Sequence, residues 1–226
     1  MTHQSLFFSH MLLACFGLFL TFDLSAETYK GRELAQVMSP EGIAWLERDN
    51  REQEERLSLL ITGLELKPGL KVADLGAGSG VISSLMAPKV LPDGQIIAIE
   101  IQDAMIEKLE RLKTKEKLQH LTIIRGTVSD PKLAPLSVDL VLMVDVYHEF
   151  QDPENMLRAI SRALKPRGRI ALVEYRAEDP QVPIDRSHKM SLKQIRREFT
   201  RPDLGLKVEK IDSRLPRQHL VMIRKI

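Results

Sequence analysis

The chain has 226 residues, 43% hydrophobic and 28% charged, so it can bury the core of one domain, and its composition excludes wholesale disorder and collagen-like or coiled-coil architectures. Its 33 basic and 31 acidic residues give a formal charge of +2, which offers no electrostatic reason to expect nucleic-acid binding over the whole surface. The single cysteine, Cys15, excludes an intramolecular disulfide and a metal site built from several cysteines.

The first 26 residues differ in composition from the rest of the chain. They contain no Lys or Arg, residues 11–20 are unbroken apolar, and the small residues Ser25 and Ala26 follow. This pattern predicts a secretory signal cleaved after Ala26, although the missing basic residues depart from it. A retained membrane anchor and an apolar segment tucked against the domain are the alternatives. The segment therefore predicts an exported or membrane-attached protein, with membrane contact through residues 1–26 only, and a cytoplasmic location as the alternative.

Residues 27–66 are predicted to form an N-terminal helical cap, and residues 67–226 the main domain. Within the cap, Leu57, Leu60, Ile61 and Leu64 recur at helical spacing, which predicts one or two helices over residues 41–65. Ser39 and Pro40 have the residue types of a helix start, and residues 67–69 read Lys-Pro-Gly, which ends the helical pattern.

The main domain alternates strand-like apolar runs with amphipathic runs, which is typical of a parallel sheet with crossover helices. No helical run separates the last two predicted strands, so we expect them to form an antiparallel hairpin at one edge of the sheet. Strands are predicted at residues 71–75, 95–100, 121–125, 138–144, 169–175, 206–211 and 220–224, and helices at residues 80–90, 103–114, 153–164 and 191–199.

A glycine-rich turn follows the first of these strands. Gly76, Gly78 and Gly80 allow a sharp bend and a close approach of a ligand, and the next helix presents free N–H groups to it. About twenty residues on, the second strand ends in Glu100, a carboxylate suited to a ribose diol. The spacing G-x-G-x-G differs from the dinucleotide pattern G-x-G-x-x-G. Asp74 would repel a pyrophosphate but attract a ligand that carries sulfonium and ammonium groups.

These residues resemble those of class I S-adenosylmethionine-dependent methyltransferases. Residues 74–80 (DLGAGSG) are similar to the first motif of the family, and Glu100 matches its ribose-binding acid. Residues 139–145 (DLVLMVD) resemble the fourth-strand motif, and residues 164–169 (LKPRGR) the turn before the fifth strand. The resemblance implies an α/β, Rossmann-like three-layer sandwich, whose seven-stranded sheet is parallel except for the last strand.

The same resemblance implies S-adenosyl-L-methionine as the cofactor. It places Asp74 on the ammonium group, the first two glycines under the methionine part and Ile101 against the adenine. Thr127 stands where the family often has an acid, so the Val128 backbone is the stronger candidate for an adenine contact. The implied cofactor-binding residues are Asp74, Gly76, Gly78, Glu100, Ile101, Thr127, Val128 and Val144.

Three residues near the carboxyl ends of the fourth and fifth strands are candidates for chemistry. Asp145 occupies the family position nearest the transferred methyl group, His148 is a base or a positioning residue, and Tyr175 is a pocket wall or ordinary packing. No His, Asp and Glu set shows the spacing of a metal site along the sequence, so no metal is predicted.

The sequence therefore predicts an S-adenosylmethionine-dependent methyltransferase that acts on a small molecule, similar to quinone- and arsenite-modifying enzymes. Small-molecule acceptors, and no nucleic acid, are the expected partners. Two alternatives stay open: a non-catalytic module that binds S-adenosylmethionine, and a nicotinamide-dependent oxidoreductase, which Asp74 and the glycine spacing disfavour.

Overall fold

A computed structural model describes residues 27–226, so the predicted leader lies outside the described residues. An N-terminal hairpin and three short helices precede the main sheet. The hairpin is β1 (Thr28–Tyr29) and β2 (Arg32–Glu33), and the helices are α1 (Ile43–Leu46), α2 (Arg51–Glu55) and α3 (Leu57–Gly63). Within residues 27–226, no helix combines the length and the apolar character needed to span a bilayer.

The main sheet contains β3 to β10, and its strands alternate with helices along the chain. The strands are β3 (Lys71–Leu75), β4 (Gln95–Glu100), β5 (Leu121–Arg125), β6 (Val138–Val144), β7 (Leu164–Arg176), β8 (Lys189–Met190), β9 (Leu206–Asp212) and β10 (Gln218–Lys225). The helices are α4 (Val81–Val90), α5 (Asp103–Lys115), α6 (Pro153–Ala163) and α7 (Leu192–Phe199).

The strand order is β5-β4-β3-β6-β7-β10-β9, and the two-residue β8 pairs with β7 beside this path. All neighbours are parallel except β10, which runs antiparallel to both β7 and β9. The predicted sheet and its terminal hairpin are therefore confirmed. The strand order reverses between β3 and β6, and open α/β sheets bind ligands at the carboxyl ends of strands at such a point.

Two hydrophobic clusters fill the space on opposite faces of the sheet, which makes three layers. Along β6, Val141 and Met143 belong to the cluster under α6 and α7, whereas Leu140 and Leu142 belong to the cluster under α3, α4 and α5. A strand that buries both faces reads as continuously apolar, which explains the unbroken apolar run of this strand.

The N-terminal region contains three short α-helices, where one or two were predicted over residues 41–65. Arg56 adopts left-handed backbone angles (φ 55°) and separates α2 from α3. Ser39 precedes a 3₁₀ turn at Pro40–Gly42, and its side chain makes no capping hydrogen bond. The periodic apolar residues, from Leu57 to Leu64, all lie in α3 and its C-cap, so their spacing carries no information about the break at Arg56.

The turn predicted before the fifth strand is a bulge inside a longer strand. Pairing with β6 moves from Val138 opposite Leu164 to Leu140 opposite Arg169, so residues 165–168 are accommodated between two paired positions. Arg167 adopts φ 62° there. The residues that predicted a turn therefore make the bend, while pairing continues on both sides of it.

A buried ion pair anchors the N-terminal hairpin to the main domain. Arg32 donates from Nε to Glu198 of α7 at 3.0 Å and from Nη1 to the backbone carbonyl of His148 at 2.9 Å. The Tyr147 hydroxyl donates to the same Glu198 carboxylate. The hairpin is thus coupled to the loop that follows β6, where candidate site residues lie.

Candidate functional site

The glycine turn after β3 has a backbone that only glycine adopts easily. Gly76, Gly78 and Gly80 have φ values of 74°, 55° and 86°. A Cβ on Gly76 would lie 2.4 Å from Val146 Cγ2, and one on Gly78 would lie 2.7 Å from Leu46 Cδ1. Both the backbone angles and the close neighbours therefore require glycine at the first two positions.

Glu100 ends β4 beside this turn, and its carboxylate is held entirely by backbone N–H groups. Its Oε2 accepts from the Gly78 N–H at 3.1 Å, and Oε1 accepts from Ile101 at 2.7 Å and Gln102 at 3.2 Å. A carboxylate offers about four acceptor positions, so one remains at Oε2 for a ligand. Glu100 is buried but still lines the cavity described next.

An open cleft with an empty volume of about 800 Å³ lies over the carboxyl ends of β3, β4 and β6. The N-terminal segment crosses its rim, because Met38 donates its N–H to Glu149 at 3.1 Å and accepts from the Gln102 side chain at 2.8 Å. The predicted residues that line the cleft are Gly76, Gly78, Glu100, Ile101, Thr127, Val128, Val144 and Asp145.

A smaller recess of about 330 Å³ adjoins the cleft and shares the glycine turn with it. Asp74 and Arg51 both line this recess. Asp74 is buried and accepts from the Ser83 hydroxyl at 2.6 Å. Burial, assisted by the nearby Glu100 charge, raises the pKa of Asp74 to about 6, although the Ser83 bond and Arg51 oppose the change.

Arg51 is a residue that sequence reasoning missed. It lies on α2, donates to Glu55 at 2.8 Å and to the Leu46 carbonyl at 2.9 Å, and faces the recess. Cap residues carry no motif of their own, so only the folding of α2 onto the glycine turn reveals it. The recess thus presents one acidic and one basic side chain, opposite in charge to the ammonium and carboxylate of an amino acid.

Asp145 follows β6 directly and lies on the wall of the cleft. Its Oδ2 accepts from the Gln218 side chain at 3.0 Å, while its buried Oδ1 has no hydrogen-bond partner among residues 27–226. Burial and the nearby charges of Glu55 and Glu174 raise its pKa well above the ordinary value. Glu149, which also lines the cleft, has its pKa raised to about 7, mainly by burial.

His148 and Tyr175 lie behind this wall, among the described residues that line neither cavity. His148 Nδ1 lies 2.6 Å from Glu174 Oε2. Burial is the largest influence and disfavours the imidazolium, but the Glu174 hydrogen bond and the charges of Glu174 and neighbouring carboxylates together outweigh it, so the pKa of His148 is raised. The Tyr175 hydroxyl donates to Glu55 at 3.0 Å, and burial raises its pKa.

The Thr127 hydroxyl makes hydrogen bonds within its own loop, and the residue also lines the cleft. Its hydroxyl donates to the Asp130 carbonyl at 3.2 Å and accepts from the Asp130 N–H at 3.0 Å. Val128 is 51% exposed and lines the cleft. The structure therefore brings the eight predicted cofactor residues around one connected pair of cavities, whereas of the three predicted catalytic residues only Asp145 faces the cleft.

Comparison with known proteins agrees with this geometry. A family model described as a methyltransferase domain matches residues 66–210. Among curated relatives, an arsenite methyltransferase of Halobacterium salinarum is 29% identical over 107 residues, which is 47% of this chain and 27% of that protein. A ubiquinone biosynthesis O-methyltransferase of Idiomarina loihiensis is 29% identical over 104 residues, 45% of this chain and 41% of that protein. The chain thus spans less than half the length of these two relatives.

Among solved structures, a SAM-dependent methyltransferase from Aquifex aeolicus superposes with a TM-score of 0.78 at 20% identity, covering 84% of this chain and 100% of that one. This similarity shows the shared fold. The family match covers most of the chain and includes all four motifs, and it confirms the predicted family and its cofactor, S-adenosylmethionine. The chain therefore belongs to the methyltransferase domain family and has the Rossmann-like fold of class I S-adenosylmethionine-dependent methyltransferases.

Proposed function

We propose that this protein transfers a methyl group from S-adenosylmethionine to a small-molecule acceptor. The observation that carries the proposal is that two cavities meet at one glycine turn. Glu100 lines the first cavity, and Asp74 and Arg51 line the second. A nucleoside with an amino-acid tail needs this combination: an acceptor for ribose hydroxyls, and opposite charges for an ammonium and a carboxylate.

The side chains present fit this cofactor. Glu100 offers its free Oε2 acceptor position to a ribose hydroxyl, and Ile101 and Val128 supply apolar surface for the adenine. Asp74 would hold the ammonium group, and Arg51 the carboxylate. Gly76 and Gly78 leave room beneath the methionine part, because neither carries a side chain that would fill the recess.

Bound S-adenosylmethionine supplies a methyl group already activated on a sulfonium. The chain's residues then need mainly to orient the acceptor and exclude water, and a base is needed only if the acceptor must lose a proton. Asp145 faces the cleft and is the proposed acceptor contact. His148 and Tyr175 lie behind the wall, and we assign them positioning roles, exerted through Glu174 and Glu55 respectively.

A small acceptor is favoured by the largely apolar cleft beside the glycine turn and by the names of the two curated relatives, which refer to arsenite and to ubiquinone biosynthesis. The chain contains no cysteine after Cys15, which disfavours thiol-relayed arsenic chemistry. We therefore favour an organic acceptor that carries a hydroxyl, amine or carbon nucleophile. The formal charge of +2 on the protein chain gives no support to a nucleic-acid substrate.

Calorimetry with three ligands tests the cofactor part of the proposal. S-adenosylmethionine and S-adenosylhomocysteine should bind the wild type, and methylthioadenosine, which lacks the amino-acid tail, should bind more weakly. Arg51→Lys and Asp74→Asn should weaken binding of the first two ligands but not of methylthioadenosine, whereas Glu100→Gln should weaken binding of all three. If the folded wild type binds none of them, the proposal is rejected.

An acceptor screen tests turnover. Hydroxylated, aminated and quinone-type compounds are incubated with protein and cofactor, and formation of S-adenosylhomocysteine is measured. Product formation that depends on the acceptor supports enzymatic methyl transfer and excludes a module that only binds the cofactor. Tight cofactor binding without turnover on any acceptor class would favour that module instead.

For the leader, we propose export or membrane attachment through residues 1–26, on the strength of their apolar composition. Mass spectrometry of the mature N-terminus tests this proposal. A mature protein that starts at Glu27 supports cleavage, a full-length membrane-bound protein supports an anchor, and a full-length protein in the cytoplasm contradicts both.

A further inference from the structure

Three potential metal ligands meet behind the cleft wall, and one of them, Glu149, lines the cleft. His148, Glu149 and His188 each offer a ligand atom, and these atoms lie within 4.8 Å of one another. The pairwise distance between His148 Nε2 and Glu149 Oε1 is 3.9 Å. Ligands about 2.0–2.2 Å from a tetrahedral ion lie about 3.4 Å from one another. A shift of up to about 1.4 Å, chiefly of the half-buried His188, would therefore close the site.

The elements that bring these side chains together are two short turns distant in sequence. His148 and Glu149 belong to the 3₁₀ turn Tyr147–Glu149 after β6, and His188 to the turn Arg186–His188 before β8. The rings of His148 and His188 pack edge to face with their centroids 5.0 Å apart. Some forty residues separate the two turns, which is why no metal-ligand spacing is visible along the sequence and why none was predicted.

Each of the three side chains is oriented by a second group. His148 Nδ1 is bound to Glu174, a fully buried carboxylate, at 2.6 Å. His188 Nδ1 lies 3.1 Å from Ser187 Oγ, whose hydroxyl in turn donates to Asp185 at 2.7 Å. In the neutral tautomers in which both Nδ1 atoms donate, the lone pair of each imidazole lies on Nε2 and is available to a metal ion. Metal-binding histidines show this arrangement, in which an outer acceptor fixes the tautomer of the ligand ring.

Glu149 is oriented in a comparable way. Its Oε2 accepts the Met38 N–H at 3.1 Å, while its Oε1 is the oxygen nearest to His148 Nε2. Glu149, Glu174 and Asp145 place several carboxylates around the site, and a bound cation would stabilise this concentration of buried acid. Two imidazoles with one carboxylate favour a first-row transition metal over Mg²⁺ or Ca²⁺, which prefer all-oxygen sites.

We propose that His148, Glu149 and His188 form a binding site for a divalent transition-metal ion, with Zn²⁺ as the probe. Three protein ligands leave a fourth position of a tetrahedral ion for water or for an oxygen of a bound molecule. Glu149 also lines the cleft, so the ion would lie at the cleft wall near Asp145. The site requires no cofactor, and its presence is therefore independent of methyl transfer.

Calorimetry of the full chain with Zn²⁺ after chelator treatment tests the proposal, in the absence of S-adenosylmethionine. The wild type should bind one equivalent at this site. His188→Ala and Glu149→Gln should weaken that binding by about tenfold or more, since loss of even an outer-shell partner has effects of this size. The matched control is His120→Ala, which removes an exposed imidazole elsewhere and should bind like the wild type.

A spectroscopic experiment separates this site from adventitious binding. Co²⁺ in a four-coordinate site gives intense visible ligand-field bands, and these bands should appear in the wild type and in His120→Ala but not in His188→Ala. Circular dichroism confirms that each variant is folded, which we expect because His188 is half-buried on a surface turn. Equal Zn²⁺ affinity in wild type and His188→Ala, or Co²⁺ spectra unchanged by that substitution, would overturn the proposal.

Discussion

The carboxylate of Glu100 accepts a hydrogen bond from the backbone N–H of Gly78 at 3.1 Å. This bond joins the end of β4 to the glycine turn after β3, two elements that lie side by side in the sheet. It requires the Gly78 N–H to point into the cleft, which the positive φ of this residue permits. The same carboxylate thus shapes the turn and keeps one acceptor position for a ligand.

Replacing Glu100 by Gln should weaken binding of S-adenosylmethionine and also lower stability, because the amide keeps one acceptor oxygen for the backbone N–H groups that two carboxylate oxygens now accept from. The amide keeps the size of the side chain but loses the negative charge, and hydrogen bonds to charged groups are worth about 1.5–3 kcal/mol. We therefore expect the dissociation constant to rise about tenfold to a hundredfold, as measured by calorimetry. Glu110→Gln, an exposed change on α5, is the control and should leave binding unaltered.

Gly78→Ala should reduce both stability and cofactor affinity. The residue has φ 55°, and its new Cβ would lie 2.7 Å from Leu46 Cδ1. Left-handed backbone angles in a residue other than glycine cost roughly 1–2 kcal/mol. Denaturant unfolding measures the loss of stability, and calorimetry measures the loss of S-adenosylmethionine binding.

Gly205 provides a matched control for this substitution. It has φ 58°, yet a Cβ there would meet no atom within 4 Å. Gly205→Ala should therefore show the backbone cost without a change in cofactor affinity. Equal affinity in the two alanine variants would contradict a role for the Gly78 turn in binding.

Stability should depend on pH through Asp74. Its pKa rises from an ordinary 3.8 to about 6 in the folded protein, so the folded state binds the proton more tightly than the unfolded chain does. The stability associated with the protonated form is present below about pH 4 and is lost as the pH rises through about 6. The loss is on the order of 3 kcal/mol, because one pKa unit corresponds to about 1.4 kcal/mol. Asp74→Asn should lack this dependence, as the difference between its unfolding curves and those of the wild type would show.

Cofactor affinity should depend on pH in the opposite direction. An ammonium group is held by the ionised form of Asp74, which is depleted below about pH 6. The dissociation constant of S-adenosylmethionine should rise as the pH falls from 7 to 5, whereas that of methylthioadenosine should change little. A pH-independent affinity for both ligands would show that Asp74 does not contact the ammonium group.

Breaking the buried pair between Arg32 and Glu198 should destabilise the fold. Arg32→Met leaves the carboxylate of Glu198 buried without its cation, and such losses cost about 3–5 kcal/mol. Denaturant unfolding measures this change. Arg196→Met removes an exposed guanidinium from the same helix, α7, and should alter the unfolding free energy by about 0.5 kcal/mol or less.

The sequence by itself determined the sheet, the glycine turn and the acid at the tip of the next strand. These features are local: strand periodicity, helix-start residues, and glycines at positions where backbone angles or close neighbours exclude a side chain. Glu100 and the residues of the turn could be named in advance because the order of strands and helices implies a parallel sheet, which aligns strand ends at one edge.

Only the tertiary structure decided which side chains complete the site. Arg51 joins Asp74 because α2 folds back over the glycine turn, and His188 meets His148 because the turn before β8 packs against the buried turn after β6. His148 and Tyr175 turn away from the cleft toward the buried partners Glu174 and Glu55. Such contacts join residues tens of positions apart, and their energy comes from packing and buried charge pairing. No local sequence pattern predicts this packing or this charge pairing.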